Sequence, residues 1–264
     1  MTTLSNLQKI DFSTLYKEQR KLSTFKAKSA KDWDEKASDM NGRVFKSIYI
    51  NEFLQRLDLK DAKTLLDVGC GPGTLGLSLA DKLEKVYCLD FSPKMLKCVR
   101  ENAKERGLEN VQTIQKSLDE SWDDVPKCDI LIASRCMEVD DLEGVLQKLN
   151  KKAKKVYISY KVDGFFIDEC ILKVLEKTIN PKPDFIYLVN ILYKMGFNAK
   201  VDFVNSENTR FQAKNPKEFI EKVRWSLGEI SKNDEKNLEN FYHNELAKNP
   251  PPKFVKWAFI SYEI

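Results

Sequence analysis

Leu65-Leu66-Asp67-Val68-Gly69-Cys70-Gly71-Pro72-Gly73 is the stretch on which the fold turns. A short apolar strand (64–68) runs into three alternating glycines. Leu75, Leu79 and Leu83 then recur at helical spacing. Glycines let the backbone turn tightly and let a ligand approach the main chain. The helix that follows offers unpaired N–H groups at its start. A strand, a glycine loop and a helix in this order bind a nucleotide-like group at the carboxyl edge of a parallel sheet.

The pattern repeats outward from that loop. Residues 86–89 (VYCL) read as a second strand, and Met95, Leu96 and Val99 mark its helix. Residues 111–114 (VQTI) are a third strand. Residues 129–133 (DILIA) are a fourth, followed by the helix of Leu142, Val145, Leu146 and Leu149. Residues 156–160 (VYISY) are a fifth. Strands alternating with helices imply a parallel sheet covered on both faces. Further along, 165–179 reads as an added helix, stopped by Asn180 and Pro181. A helix over 185–195 ends at Gly196. A sixth strand covers 201–204. Two helical patterns fill 216–247 with a break near 231–234, Asn249-Pro250-Pro251-Pro252 makes a stiff turn, and 254–262 (FVKWAFISY) is a final strand. Before the glycine loop, residues 1–40 read as short helices, and 43–57 as a helix whose apolar face is Phe45, Ile48, Tyr49, Phe53 and Leu57.

Two ligand readings fit the loop itself. Gly71-Pro72-Gly73-Thr74-Leu75-Gly76 satisfies the dinucleotide pattern G-x-G-x-x-G. Asp67 argues against it, because a carboxylate two residues before the first glycine does little for a pyrophosphate. It suits a cationic ammonium group, or the loop. The aromatic last strand is also more than a plain dinucleotide domain needs. The run LLDVGCGPG instead resembles, glycine for glycine, motif I of the class I S-adenosylmethionine-dependent methyltransferases. Cys88-Leu89-Asp90-Phe91-Ser92-Pro93-Lys94-Met95-Leu96 carries the resemblance further. Asp90 closes the second strand, 17 residues after Gly73, where that family places the acid that takes the ribose hydroxyls. Ser92 and Pro93 suit an N-cap and a first helical residue. Trp33-Asp34-Glu35-Lys36-Ala37 is similar to the opening helix of many small-molecule methyltransferases.

The resemblance implies a Rossmann-like α/β fold with a seven-stranded, mostly parallel sheet, an antiparallel last strand and helices on both faces. Extra helices lie in the N-terminal and C-terminal regions. The expected organisation is one methyltransferase domain over 1–264. It has N-terminal cap helices at 1–58, a cofactor-binding half at 62–160 and a substrate-side half at 161–264. The implied cofactor is S-adenosylmethionine, with S-adenosylhomocysteine as its product. The implied cofactor residues are Asp67, Gly69, Cys70, Gly71, Gly73, Asp90, Phe91, Met95, Ser117, Leu118 and Ser134. Met95 packs on the adenine in this reading, and Ser117 or Asp119 meets its amine. Ser117-Leu118 stands where the family commonly has Asp-Ala. Trp33, Arg135 and Glu138 are the candidate acceptor residues, Arg135 and Glu138 having an ion pair as their plain structural alternative. Trp33 and the inserted helices are expected to roof the acceptor pocket.

Composition narrows the partners. The chain has 264 residues, with 44 Lys+Arg against 40 Asp+Glu, for a formal charge of +4. That balance disfavours a surface built to coat nucleic acid. The single histidine, His243, excludes a histidine-cluster metal site, so no metal is expected. Six cysteines without a C-x-x-C pair read as reduced core residues. No apolar run reaches the ~18 residues of a membrane span. The N-terminal stretch lacks a secretory h-region, so a cytoplasmic location is expected. Within the resembled family, Ala133-Ser134-Arg135-Cys136 departs from the Asn/Asp-Pro-Pro-Tyr of enzymes methylating planar nitrogens. No cytosine-C5 nucleophile pair and no catechol-type metal set is present. Methyl transfer to a small molecule by in-line displacement is the expectation. An RNA methyltransferase and a silent cofactor-binding scaffold are the alternatives, and no catalytic base is assigned.

Overall fold

The computed structural model describes residues 6–41, 45, 47–246 and 254–264. Among these, β1 (Thr64–Val68), β2 (Lys85–Asp90), β3 (Val111–Gln115), β4 (Cys128–Ser134), β5 (Ala153–Lys161), β6 (Lys200–Glu207) and β7 (Phe254–Glu263) form one sheet. Its order is β3-β2-β1-β4-β5-β7-β6. β1 lies parallel to β2 and β4, β2 to β3, and β4 to β5. β7 runs antiparallel to both β5 and β6. The chain builds outward from β1 to β3, then returns to start β4 on β1's other side. This leaves a topological switch between β1 and β4, where the carboxyl ends of an open α/β sheet form a crevice.

Successive side chains on a strand face opposite sides, and the core divides accordingly. Leu66, Leu131, Ala133, Val156, Ile158 and Ile260 face one side. That side is covered by α2 (Phe12–Leu22), α7 (Leu142–Asn150) and α9 (Phe185–Lys194). Leu65, Ile130, Ile132, Tyr157 and Phe259 face the other, under α4 (Ile48–Leu54), α5 (Thr74–Leu79) and α6 (Pro93–Glu105). A third cluster stands apart from the sheet. Phe166, Ile171, Phe219, Val223, Leu238 and Phe241 hold α8 (Glu169–Val174), α10 (Pro216–Leu227) and α11 (Lys232–Asn244) together. The remaining helices are α1 (Asn6–Lys9) and α3 (Ala30–Asn41).

Several expected helices are shorter than their apolar patterns. The pattern over 165–179 is helical only at α8. Asp163 takes the Phe165 N–H at 2.9 Å, and Arg210 takes the Phe166 carbonyl at 3.1 Å, so the backbone there is satisfied without a helix. Gly164 lies so close to the Lys182 main chain that a Cβ would sit 2.0 Å from its carbonyl oxygen. In the 43–57 pattern the described helix begins at Ile48. Ser47 is extended (φ −75°, ψ 139°) and its hydroxyl caps the Tyr49 N–H. Residues 42–44 and 46 lie outside the described residues, as does the turn expected at 249–252. The helix after the glycine loop ends at Leu79, and a single 3-10 turn, Ala80–Lys82, carries the chain to Leu83. β6 is longer than its 201–204 core because β7 pairs with it from Lys200 to Glu207.

Candidate active site

A cleft of about 1530 Å³ opens at the carboxyl edge of the sheet. The glycine loop, the ends of β2 and β4, the 116–119 segment, α3 and α10 all contribute to its walls. Ligand pockets commonly enclose about 300–1,000 Å³, so this cleft has room for two small molecules side by side.

The three glycines of the loop do different work. All have positive φ, +60° at Gly69, +55° at Gly71 and +87° at Gly73. A Cβ on Gly69 would lie 2.5 Å from the Cβ of Cys136, so this glycine lets the segment after β4 close onto β1. The Cys136 thiol completes that contact by donating to the Val68 carbonyl at 3.3 Å. Gly73 is the left-handed N-cap of α5 and packs against Leu77 and Val99. Gly71 differs: a Cβ there would meet nothing within 4 Å. Gly69 and Gly71 both line the cleft, and of the three only Gly71 has open space where a Cβ would stand. Cys70 is buried beside it, and its N–H donates to the Leu89 carbonyl at 3.0 Å. Asn102 steadies the loop from α6 by donating to the Pro72 carbonyl at 3.0 Å.

Two buried carboxylates flank the loop. Asp67 accepts the Gly76 N–H at 2.9 Å through one oxygen, while the residue also lines the cleft. Burial, countered by that N–H and supplemented by the nearby Asp90 charge, pushes its pKa up to about 7. Asp90 accepts the Gly71 N–H and the Ser92 N–H, both at 2.9 Å. Burial raises its pKa despite those donors. Beyond it, Ser92 caps α6, taking the Met95 N–H at 3.1 Å and donating to Asp34 of α3 at 2.5 Å. Phe91 and Met95 line the cleft next to Asp90. Met95 is buried under Trp33 and Met40 of α3.

Ser117, Leu118 and Asp119 line the same end of the cleft. Their main chain is already engaged. Ser117 donates its N–H to Glu120 at 3.1 Å and accepts from the Trp122 indole at 2.9 Å, and the Leu118 carbonyl accepts from Lys148. The Leu118 carbonyl is thereby committed away from a ligand, and the Ser117 hydroxyl accepts the Asp119 N–H at 3.1 Å.

At the other end, the expected acceptor residues are brought to one cleft but not to each other. Ser134 meets the Tyr49 hydroxyl at 2.7 Å, and Tyr49 also meets Ser159 at 2.5 Å. Arg135 leaves the sheet with φ +59°, its N–H donating to the Ser159 hydroxyl at 3.1 Å. The guanidinium lies 3.4 Å from the Tyr49 ring centroid and 4.7 Å from that of Trp257. It is exposed, but into the cleft. Protein surrounds it on the other sides, and this desolvation draws its pKa down. Glu138 does not pair with it. Its carboxylate takes the buried ammonium of Lys182 instead, which also sits 4.1 Å from the Phe25 ring centroid. The Arg135–Glu138 ion pair, the structural alternative for these two residues, does not form; Glu138 pairs with Lys182 and Arg135 turns toward the β7 side. Trp33 meets Trp225 of α10 edge to face, with centroids 5.5 Å apart. Tyr49, Trp257, Lys182 and Trp225 were not singled out from sequence. All six cysteines are free, and among the described residues no group of His, Cys, Asp or Glu could hold a metal ion.

The crevice at the switch point, with a glycine cradle and two carboxylates, defines a cofactor-binding α/β protein. Comparison with known proteins narrows the class. The family model described as "Methyltransferase domain" matches residues 65–156. An uncharacterized protein of Haemophilus influenzae is 35% identical over 237 residues, 88% of each chain. An uncharacterized RNA methyltransferase of Enterococcus faecalis is 32% identical over 120 residues, 44% of this chain and 26% of that one. The solved coclaurine N-methyltransferase bound to N-methylheliamine and S-adenosylhomocysteine superposes with a TM-score of 0.52 at 13% identity. That superposition covers 97% of this chain and 96% of the other. Residues 65–156 thus match a methyltransferase domain, and the chain has the fold of the class I S-adenosylmethionine-dependent methyltransferases. It is a methyltransferase with S-adenosylmethionine as its cofactor. The cleft fits that group: Gly71 leaves its approach open, and the buried carboxyl groups of Asp67 and Asp90 line the cleft with no ion pair among the described residues.

Proposed function

We propose that the protein transfers a methyl group from S-adenosylmethionine to a small-molecule acceptor held in the same cleft. Residues 1–264 act in this reading as one methyltransferase domain, with 62–160 holding the cofactor and the flanking regions shaping the acceptor side. The cofactor supplies a methyl group already activated on a sulfonium, so positioning and exclusion of water can provide most of the rate. Asp90, beside Phe91 and Met95, takes the ribose hydroxyls. Gly69, Cys70, Gly71 and Gly73 cradle the chain of the cofactor. Asp67 faces its cationic end, Ser117 and Leu118 border the adenine, and Ser134 stands next to the methyl. Arg135, Glu138 and Trp33 border the acceptor.

The observation that carries the reading is the cover over the cleft. Trp33 of α3 and Trp225 of α10 meet above it. Covers of this kind exclude water and complete a site as ligand enters. Charge supports the same reading. Six of the ten cations of the cleft wall, Arg20, Lys116, Lys161, Lys182, Arg210 and Lys222, have carboxylate partners, which reduces the positive charge the wall presents. A surface that tracks phosphates needs cations left over. The test is incubation with methyl-labelled S-adenosylmethionine and cell extract separated into small molecules, RNA and protein. Label is expected in the small-molecule fraction. Label confined to RNA transfers the reading to the RNA alternative, and cofactor binding with no label anywhere supports a silent scaffold.

A further inference from the structure

Resting on that reading, we propose that the acceptor carries a carboxylate, and that Arg135 is the residue that binds it. Three features of the structure converge on this. The first is that Arg135 faces the cleft without an ionic partner: among the described residues no carboxylate forms an ion pair with it. The Glu207 carboxylate acts on its charge from a distance, its oxygens being taken by the Ile48 N–H and the Ser47 hydroxyl, each at 2.8 Å. Every other arginine of the cleft wall has a carboxylate, Arg20 with Asp140 and Arg210 with Asp168. A guanidinium between protein walls gains most from an oxyanion matching its planar fork.

The second feature is how firmly the group is aimed. Arg135 adopts φ +59°, a left-handed backbone region that is unfavourable for a non-glycine residue. Ser159 holds its N–H, and the guanidinium packs on the rings of Tyr49 and Trp257, whose centroids lie 6.4 Å apart. Tyr49 is itself fixed by Ser134 and Ser159. A guanidinium packed on aromatic rings still carries planar N–H donors for an oxyanion.

The third feature separates acceptor from cofactor. Asp67 and Asp90 stand on β1 and β2, on one side of β4 in the sheet order. Trp257 stands on β7, two strands away on the opposite side. At ~4.8 Å per strand this is about 10 Å from β4. Arg135 leans across β5 toward Trp257, away from the carboxylates that flank the glycine loop. Its anion therefore belongs to the second molecule in the cleft. The nearby ionised Glu207 leaves little net positive charge for a phosphate dianion and suits a monoanion.

The test uses the full chain, methyl-labelled S-adenosylmethionine and the small-molecule fraction of cell extract, divided on an anion exchanger. Label is expected from the anionic fraction. It should be lost when carboxyls in that fraction are capped as methyl esters, and kept after phosphatase treatment. Arg135→Gln should lower incorporation at limiting extract by roughly 30-fold or more, mainly through acceptor KM, while Arg135→Lys restores part of it. Calorimetric affinity of both variants for S-adenosylhomocysteine should stay within about twofold of the parent, which also reports that they fold. Equal label from the neutral fraction, or loss on phosphatase treatment alone, overturns the carboxylate proposal and leaves small-molecule methylation standing. A tenfold loss of S-adenosylhomocysteine affinity in a folded Arg135→Gln overturns it in favour of the cofactor's own carboxylate. Label in RNA, or in no fraction, removes the underlying reading and this proposal with it.

Discussion

Replacing Gly71 by alanine separates the cradle from the scaffold within one loop. Gly71 has φ +55°, so alanine pays the left-handed penalty of about 1–2 kcal/mol. Its Cβ meets nothing within 4 Å, so no packing cost is added. For a chain of this size, 1 kcal/mol shifts Tm by about 2–4 °C. The cofactor-free protein should therefore melt roughly 2–8 °C lower and remain folded. The new methyl group would occupy the space from which a ligand approaches the Gly71 backbone. Affinity for S-adenosylhomocysteine should fall at least about tenfold, equivalent to about 1.4 kcal/mol. Gly69→Ala is the control with the opposite balance. Its Cβ would stand 2.5 Å from the Cys136 Cβ and 2.9 Å from its sulfur. Overpacking of that kind adds about 1–3 kcal/mol to the backbone penalty. Thermal melts without ligand, paired with titration calorimetry, distinguish the two. Normal S-adenosylhomocysteine binding by a folded Gly71→Ala would refute the cradle. A larger stability loss in Gly71→Ala than in Gly69→Ala would refute the division of roles among the glycines.

Asp90→Ala should weaken S-adenosylhomocysteine binding by at least about 1.5 kcal/mol, the scale of charge-assisted hydrogen bonds, as read by calorimetry; unchanged affinity in the folded variant would remove the ribose assignment. Asp67, with its pKa near 7 against about 3.9 unfolded, holds more protons folded than unfolded between those values. Its contribution therefore makes the ligand-free protein less stable as pH rises from about 4 to about 7, and Asp67→Asn should flatten that slope in urea titrations at pH 5 and 7.5. Hydrogen exchange in α3 and α10 should slow when S-adenosylhomocysteine is added, and Trp225→Ala should remove much of that protection; an exchange pattern indifferent to ligand would mean that these helices do not close the site.

The sheet was legible because its signals are local. β1, β2, β4 and β5 each hold a run of mostly apolar residues, and burial on both faces makes such runs nearly continuous, while the edge strand β3 is more polar. The helices beyond β5 were harder to place. An apolar pattern reports burial, and Phe166 is buried beside Ile167 and Ile171 without lying in a helix. Arg210, 44 residues away in sequence, takes the Phe166 carbonyl that a helical turn would otherwise use. Periodicity cannot register a backbone group satisfied from so far away. Ser47 ended the 43–57 pattern in a similar way, since a capping serine inside an apolar repeat looks like one more polar position until its extended backbone is seen.

The candidate site divides along the same line. Asp67, the glycines and Asp90 fall within one strand-loop-helix-strand unit, so their order along the chain already carries their arrangement in space. The acceptor side has no such unit. Tyr49 reaches Ser134 across 85 residues, and Glu138 reaches Lys182 across 44. Lys182 sits between two prolines and reads as a turn, yet it is buried against Phe25 and Phe166. Trp257 carried a usable signal. In an antiparallel last strand the first residues lie at the carboxyl edge of the parallel strands, and Trp257 does pair with Lys161 there. An aromatic residue at the start of that strand belongs beside the cleft on topology alone. Arg135, by contrast, shows its meaning only in three dimensions: a neighbouring Glu138 suggested an ion pair, and the left-handed turn after β4 sends the two side chains to different partners.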